Sequence, residues 1–327
     1  MRYWLNSNKE LFSSVHTIIT DEIQNHYKEL TQLPKTRDPK AGIVSFTQRF
    51  GSALNLNPHI HLIATDGMHY RPDHPLFRKA KGLTDQHIKK LLTKITSRVL
   101  SHLQQRGYPN ADGEIVVNPK RDDLFEEFES VDMATKASIT SRIAFGPNAG
   151  KKVTRIGSGF GYAEEIPMMT GRLCCSMNGF SLHAATAINT HNRKGLERLI
   201  SYIARGPFSN ERLELVEDRK VKLSLKRAYA DGTTHILLTY REFIEKLVAL
   251  IPTPRSHLVR WSGSFAPNCK YRKKIVLNPD EKKGFHFEGE DHEHRVKNYK
   301  WAELPARVFG IDVKDRLWWC LHAYCRG

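Results

Sequence analysis

The chain has few cysteines, a shortage of acidic residues and no long apolar segment. Its five cysteines are an odd number at irregular spacings, so they do not indicate a disulfide framework. No apolar run approaches the roughly 20 residues that a membrane-spanning helix needs. The N-terminal segment also lacks the apolar core of a signal peptide. These absences argue against secreted disulfide-rich proteins and integral membrane proteins, and they favour a reducing cytoplasm.

Positive charge is what the chain has in excess. Its 327 residues include 51 Lys and Arg against 35 Asp and Glu, which gives a formal net charge of +16. Such a balance favours a polyanionic partner, above all nucleic acid; a generic basic protein is the alternative. The hydrophobic content of 40% is sufficient for a core, and the length allows two domains or one large domain with additions.

Two histidines stand one residue apart in a segment that we predict to be a β-strand. His59 and His61 lie between Pro58 and the apolar residues 62–64, and a preceding strand is predicted over 43–48. Side chains two apart on a strand share a face, so the two imidazoles could form half of a metal site. Because the chain has 16 histidines, two ordinary strand histidines facing a cleft or solvent are the alternative.

A basic helix is predicted from about Arg193 to Arg205, ended by Gly206-Pro207. Its apolar face comprises Leu196, Leu199, Ile200 and Ile203. Tyr202 lies at the edge of that face, where an aromatic residue is usually part of the core but where its hydroxyl could also reach a phosphate. We predict that nucleic acid is bound by five basic residues on and after this helix: Arg193, Lys194, Arg198, Arg205 and Arg212.

The remaining pattern predicts a mixture of helices and strands. Apolar spacing predicts amphipathic helices over 11–27 and from Thr84 to Gly107. A strand is predicted over 178–188, with His183 on it as a structural histidine, and a hairpin joins 220–226 to 233–239. Thr239 and Glu242 form a predicted capping box for a further helix that Pro252 ends.

Several other signals are weaker. Gly157, Gly159 and Gly161 lack the Lys-Ser/Thr of a phosphate loop and favour a glycine-rich bend. Residues 255–274 alternate basic and aromatic side chains, which suits either single-stranded nucleic acid or a mixed surface strand. Residues 108–150, which include an acidic patch, are interpreted as a helical insertion rather than a carboxylate metal site.

Taken in order, five stretches resemble the HUH-type rolling-circle transposases, specifically the insertion-sequence-91-like family. The first contains Gln-Arg-Phe-Gly followed by Leu-Asn-x-Asn-Pro-His-x-His-Leu within 46–67, and the others span 155–161, 178–183, 196–205 and 225–235. The resemblance extends from about Arg2 to about Asp312. It implies an α+β fold in which a central, mostly antiparallel sheet is flanked by helices, and a protein of the bacterial cytoplasm.

The resemblance also implies a chemistry. His59 and His61 would hold one divalent metal, Mg²⁺ or Mn²⁺, with Gln48 as third ligand at a position where many relatives have histidine. Tyr202 would attack single-stranded DNA at the element ends and at the target, forming a 5′-phosphotyrosine that can be rejoined. Arg198 stands where some relatives have a second tyrosine, which matches the single-tyrosine common-region branch.

The same comparison predicts the domain organisation. A helical N-terminal segment would span 1–40, the endonuclease core 41–212, a C-terminal part 213–312 and an atypical tail 313–327. Relatives have a zinc module before the segment that matches Arg2, and a Cys-x-x-Cys ribbon where this chain has Cys320, His322 and Cys325. We interpret the chain as a truncated copy with an intact core. An inactive DNA-binding remnant, a hydrolytic metallonuclease and a replication initiator or relaxase are the alternatives, and the sequence predicts no oligomeric state.

Overall fold

Helices and short antiparallel strands alternate along the chain. The computed structural model describes residues 1–276 except 109–120, 157–166, 190, 218, 227 and 229–231. The glycine motif at 157–161 and the tail at 313–327 lie outside the described residues. The helices are α1 (Arg2–Ser7), α2 (Lys9–Thr31), α3 (Asp85–Gln105), α4 (Asp123–Glu127), α5 (Glu129–Ile139), α6 (Arg193–Ala204), α7 (Tyr240–Leu250) and α8 (Arg272–Ile275).

The strands form four small sheets, and each pairing is antiparallel. They are β1 (Gly42–Phe50), β2 (Leu56–Ala64), β3 (Gly67–Tyr70), β4 (Leu76–Lys79), β5 (Thr154–Ile156), β6 (Met168–Gly171), β7 (Cys174–Met177), β8 (Phe180–His183), β9 (Leu213–Val216), β10 (Lys220–Ser224), β11 (His235–Thr239) and β12 (Val259–Gly263). The sheet orders are β12-β1-β2, β5-β11-β10-β9, β3-β4 and β6-β7-β8. The predicted α+β class is confirmed.

Helices α2 and α3 pack against one face of the β12-β1-β2 sheet and form the largest core cluster. Helix α2 begins at Asn8, whose side chain accepts a hydrogen bond from the backbone N–H of Leu11 at 2.8 Å. Its buried apolar residues contact Ile43 of β1 and the buried stripe of α3. The structure therefore confirms both predicted helices. Their apolar residues recur at helical spacing, so each helix presents one apolar face to the core.

The β5-β11-β10-β9 sheet packs against α7. Ile236 and Leu238 of β11 are buried with Phe243 of α7 packed beside them. The Thr239 hydroxyl accepts from the N–H of Glu242 at 3.3 Å, and the Glu242 carboxylate accepts from the N–H of Thr239 at 2.8 Å. The predicted hairpin and capping box are therefore confirmed.

The strand predicted over 178–188 is shorter than expected. It runs only from Phe180 to His183, because its partner β7 has four residues and the register ends at Cys174 opposite His183. His183 is exposed at the strand end. In the part of the chain that the structure describes, no helix is long and apolar enough to cross a membrane.

Candidate metal centre and nucleophile

The register of β1 and β2 places three predicted ligands on one face of the sheet. Gln48 lies opposite His59, and Phe46 lies opposite His61. Directly opposed residues of an antiparallel pair share a face, as do residues two apart on one strand. Gln48, His59 and His61 therefore share a face, and the α2–α3 core packs against the other one.

The ring of His59 is held in a single tautomer. Its Nδ1 lies 2.8 Å from the carbonyl oxygen of Asn57, and because a carbonyl only accepts, Nδ1 carries the proton. The lone pair of Nε2 is then free to bind a metal, as in metal sites where a carbonyl fixes the ligating ring. The centroids of the His59 and His61 rings are 4.9 Å apart.

Gln48 connects the histidine strands to α6. Its side chain is 5% exposed, and its amide Nε2 donates to the backbone carbonyl of Ile203. Since a carbonyl cannot donate, this bond fixes the orientation of the amide and turns Oε1 toward His61, whose Nε2–H donates to it at 3.3 Å; a metal would replace that proton. Gln48, the predicted third ligand, thus also contacts Ile203, the residue after Tyr202.

These side chains could hold a divalent metal. Donor atoms on adjacent corners of an octahedron with bonds of about 2.1 Å are about 3.0 Å apart, close to the separation of Gln48 Oε1 and His61 Nε2. Burial lowers the pKa of His61, and the charges of His59 and Arg205 lower it further, which favours the neutral imidazole that a metal requires. Among the described residues no three His, Cys, Asp or Glu side chains cluster as a metal site, so a metal here would need the amide oxygen of Gln48.

Helix α6 places Tyr202 beside the histidines. The helix begins at Asn192, whose side chain accepts from the N–H of Gly195 at 2.8 Å. Ile203 is 4% exposed and anchors the helix, whereas Tyr202 is 50% exposed. The Tyr202 ring lies 6.0 Å from the His61 ring between centroids, at an interplanar angle of 78°. The phenol is therefore next to the candidate metal centre and accessible to solvent.

Two cations lie against the Tyr202 ring. The guanidinium carbon of Arg205 is 4.0 Å from the ring centroid and the Lys226 ammonium 5.9 Å. The Nε of Arg205 is buried and has no hydrogen-bond partner within the described ranges. Burial lowers the pKa of Lys226, as do the charges of Arg205 and Arg212. The sequence analysis did not predict a role for Lys226. The one indication was that Lys226 lies in the 225–235 stretch that resembles the transposases.

The other predicted nucleic-acid contacts differ in their surroundings. Arg193, Lys194 and Arg198 are exposed on α6, with Arg198 one turn before Tyr202 and on the same side of the helix. Arg212 is partly buried and donates to the carbonyls of Ser224 and Ser52, each at 2.7 Å. Their contact with DNA stays a prediction.

The basic and aromatic segment at 255–274 is partly a strand. Residues Val259–Gly263 form β12 and pair with β1. Tyr271 is fully buried, and its hydroxyl donates to the carbonyl of Asp38 at 2.8 Å, so its ring cannot stack on a base. Trp261 is 43% exposed and retains an accessible ring.

Comparison with known families identifies the chain's relatives. A family model described as "Putative transposase" matches residues 42–273. The chain belongs to this transposase family. The matched range contains Gln48, both histidines of the candidate centre, Tyr202 and Lys226. Neither the curated proteins nor the solved structures contain a match. DNA is the partner of a transposase, which accounts for the strongly basic composition.

Proposed function

We propose that this transposase nicks and rejoins single-stranded DNA through a 5′-phosphotyrosine at Tyr202, and so moves an insertion sequence by a rolling-circle-like route. His59, His61 and Gln48 would hold one Mg²⁺ or Mn²⁺. The observation that carries this proposal is the contact between α6 and strands β1 and β2. The Tyr202 ring lies beside His61, and the carbonyl of Ile203 accepts a hydrogen bond from Gln48. On this proposal the chain is an HUH endonuclease of the insertion-sequence-91-like family, single-tyrosine branch.

The proposed reaction conserves the phosphodiester energy. The phenol oxygen of Tyr202 attacks the scissile phosphorus and loses its proton, a Tyr–O–P bond forms, and the bond from phosphorus to the 3′ oxygen breaks. The 3′ oxygen takes up a proton and leaves as a free hydroxyl, which can later attack the phosphotyrosine to reverse the step. A divalent metal, when bound, polarises a non-bridging phosphate oxygen, and imidazole ligands suit Mn²⁺ better than Mg²⁺.

The cations beside Tyr202 have a role in this scheme. A phenol is a weak nucleophile at neutral pH, so it needs neighbours that favour negative charge on its oxygen. Arg205 and Lys226 supply two positive charges at the ring, and preorganised charges of this kind stabilise the transition state. The buried Nε of Arg205, which lacks a partner in the described structure, gives a donor for a phosphate oxygen.

The decisive experiment is a covalent-adduct assay. The full chain is incubated with single-stranded oligonucleotides from the ends of its own element and with Mn²⁺ or Mg²⁺, and a protein–DNA band that survives denaturant is sought. We expect the band with the wild type and its loss in Tyr202→Phe and His59→Ala. Tyr240→Phe is the matched control, because Tyr240 is an exposed tyrosine on another helix.

Other outcomes would select a different function. Tight DNA binding without a band would mean a binding remnant. Cleavage that survives Tyr202→Phe would mean a hydrolytic metallonuclease. A band formed with a plasmid origin or transfer origin, and not with the element ends, would mean a replication initiator or relaxase.

A further inference from the structure

A cavity lies on the side of the β12-β1-β2 sheet away from the histidines. Its volume is about 240 Å³, and its lining includes Thr47 of β1 and Pro58 of β2. These residues alternate with Gln48 and His59 and therefore point to the opposite face. The N-terminal part of α2, the end of α1 and the loop before β12 complete the walls. The cavity is thus separated from the candidate metal centre by the thickness of one sheet.

The wall of this cavity contains buried hydrogen-bond donors without partners. Asn6 is 4% exposed, and its Nδ2 has no partner in the described structure. Its Oδ1 accepts from the Arg49 guanidinium, whose own Nε is likewise buried without a partner. Buried polar groups are normally hydrogen-bonded, so two such donors on residues that line one cavity favour an acceptor there.

The side chains that line the cavity are mainly positively charged, as binding of an anionic acceptor would require. Four cationic side chains line the cavity, Lys9, Arg49, Arg255 and Arg260, against the carboxylate of Glu10. In the described part of the chain none of the four forms an ion pair. The Asp122 carboxylate is nearby, but it accepts from the backbone N–H of Lys9 at 3.0 Å. Burial lowers the pKa of Arg49 to about 10, so its guanidinium remains charged at neutral pH.

We infer that this cavity is an anion site that takes a phosphate group, at a place separate from the scissile phosphate. Orphaned donors and unpaired cations together favour an acceptor with several oxygens and negative charge, and a phosphate provides both. A backbone phosphate of single-stranded DNA and a free phosphate are the two sources of this chemistry. The site needs neither metal nor Tyr202, so it stands or falls independently of the proposed reaction.

The test is a binding measurement in EDTA, where nicking cannot occur. A fluorescent single-stranded oligothymidylate is titrated with the full chain at several salt concentrations, using wild type, Arg255→Gln and Arg49→Gln. Arg255 is exposed in a loop, so its variant should fold even if the variant of the partly buried Arg49 does not. Lys81→Gln is the control, because it removes the same charge from an exposed position outside the cavity lining.

The two sources of phosphate predict different results. If DNA occupies the site, Arg255→Gln should weaken binding several-fold. It should also make the negative slope of log affinity against log salt shallower by about 0.7, the value for one single-strand phosphate contact. The control Lys81→Gln should change both the affinity and the slope by less. If free phosphate occupies it, inorganic phosphate should raise the melting temperature of the wild type more than that of Arg255→Gln, with DNA affinity unchanged. Equal DNA affinity, equal salt slope and equal phosphate stabilisation in wild type and variant would overturn the inference.

Discussion

Gln48 is the residue at which the proposed metal centre can be tested most sharply. Its amide has two separable roles: Oε1 faces His61 Nε2 at 3.3 Å, and Nε2 donates to the carbonyl of Ile203. In Gln48→Leu both are lost with little change in volume. In Gln48→Glu the oxygen toward His61 is kept, and the donor toward Ile203 is replaced by an acceptor.

The magnitudes follow from these contacts. Loss of the group that orients a metal ligand typically lowers metal affinity about 10- to 100-fold, or about 1.4 to 2.7 kcal/mol, and loss of the ligand itself should lower it at least as much. An unpaired buried carbonyl costs about 1–3 kcal/mol of folding free energy. We therefore expect Gln48→Leu to lose both metal affinity and stability. We expect Gln48→Glu to keep or gain metal affinity, because carboxylates are hard-metal ligands, while losing stability without metal.

The assay combines calorimetric titration with Mn²⁺ and urea unfolding with and without the metal. His59→Ala defines the affinity of a centre that has lost one imidazole. If Gln48→Leu is folded and binds Mn²⁺ as tightly as the wild type, Gln48 is not a ligand and the reasoning from the 3.3 Å approach is refuted.

Three further predictions concern other parts of the molecule. Burial, together with the charge of Arg260, lowers the pKa of His16 to about 4. Because the imidazole is then protonated at a higher pH in the unfolded chain than in the folded one, the free energy of unfolding should fall by about 3 kcal/mol as pH drops from 6.5 to 4. Urea unfolding should show that this loss is largely absent in His16→Gln. Thr239→Ala should destabilise α7 by about 1 kcal/mol, measured by the same method, and an unchanged midpoint would contradict the capping role. Lys226→Met should slow adduct formation about tenfold or more without altering the unfolding midpoint, and Lys226→Arg should restore part of the rate; equal rates in all three chains would remove Lys226 from the site.

Local pattern was sufficient to predict the elements that carry the site. The strands of Gln48 and of the two histidines, and the helix of Tyr202, follow from apolar periodicity and from the proline and glycine residues that bound them. Each of these signals depends on neighbours within a few residues, and the structure contains each element close to the predicted bounds.

Contacts between distant segments could not be predicted in this way. Lys226 lies beside Tyr202 because the chain just after β10 comes close to the end of α6, and no local pattern encodes that approach. The same holds for β12: its alternation of basic and aromatic residues is compatible with a surface strand or with DNA contact, and only its pairing with β1 selects the strand. The length of β8 likewise depends on how short its partner is.

The pairing of β12 with β1 can form only late in synthesis, because the two strands are far apart in the sequence. β1 and β2 can form a hairpin as soon as residue 64 has left the ribosome, but the other edge of β1 finds its partner only when residues 259–263 follow. Until then an unpaired strand edge is exposed, and such edges are templates for pairing with other chains. A chain that stops before residue 259 would therefore lack one strand of this sheet and would leave that edge of β1 open to pairing with other chains.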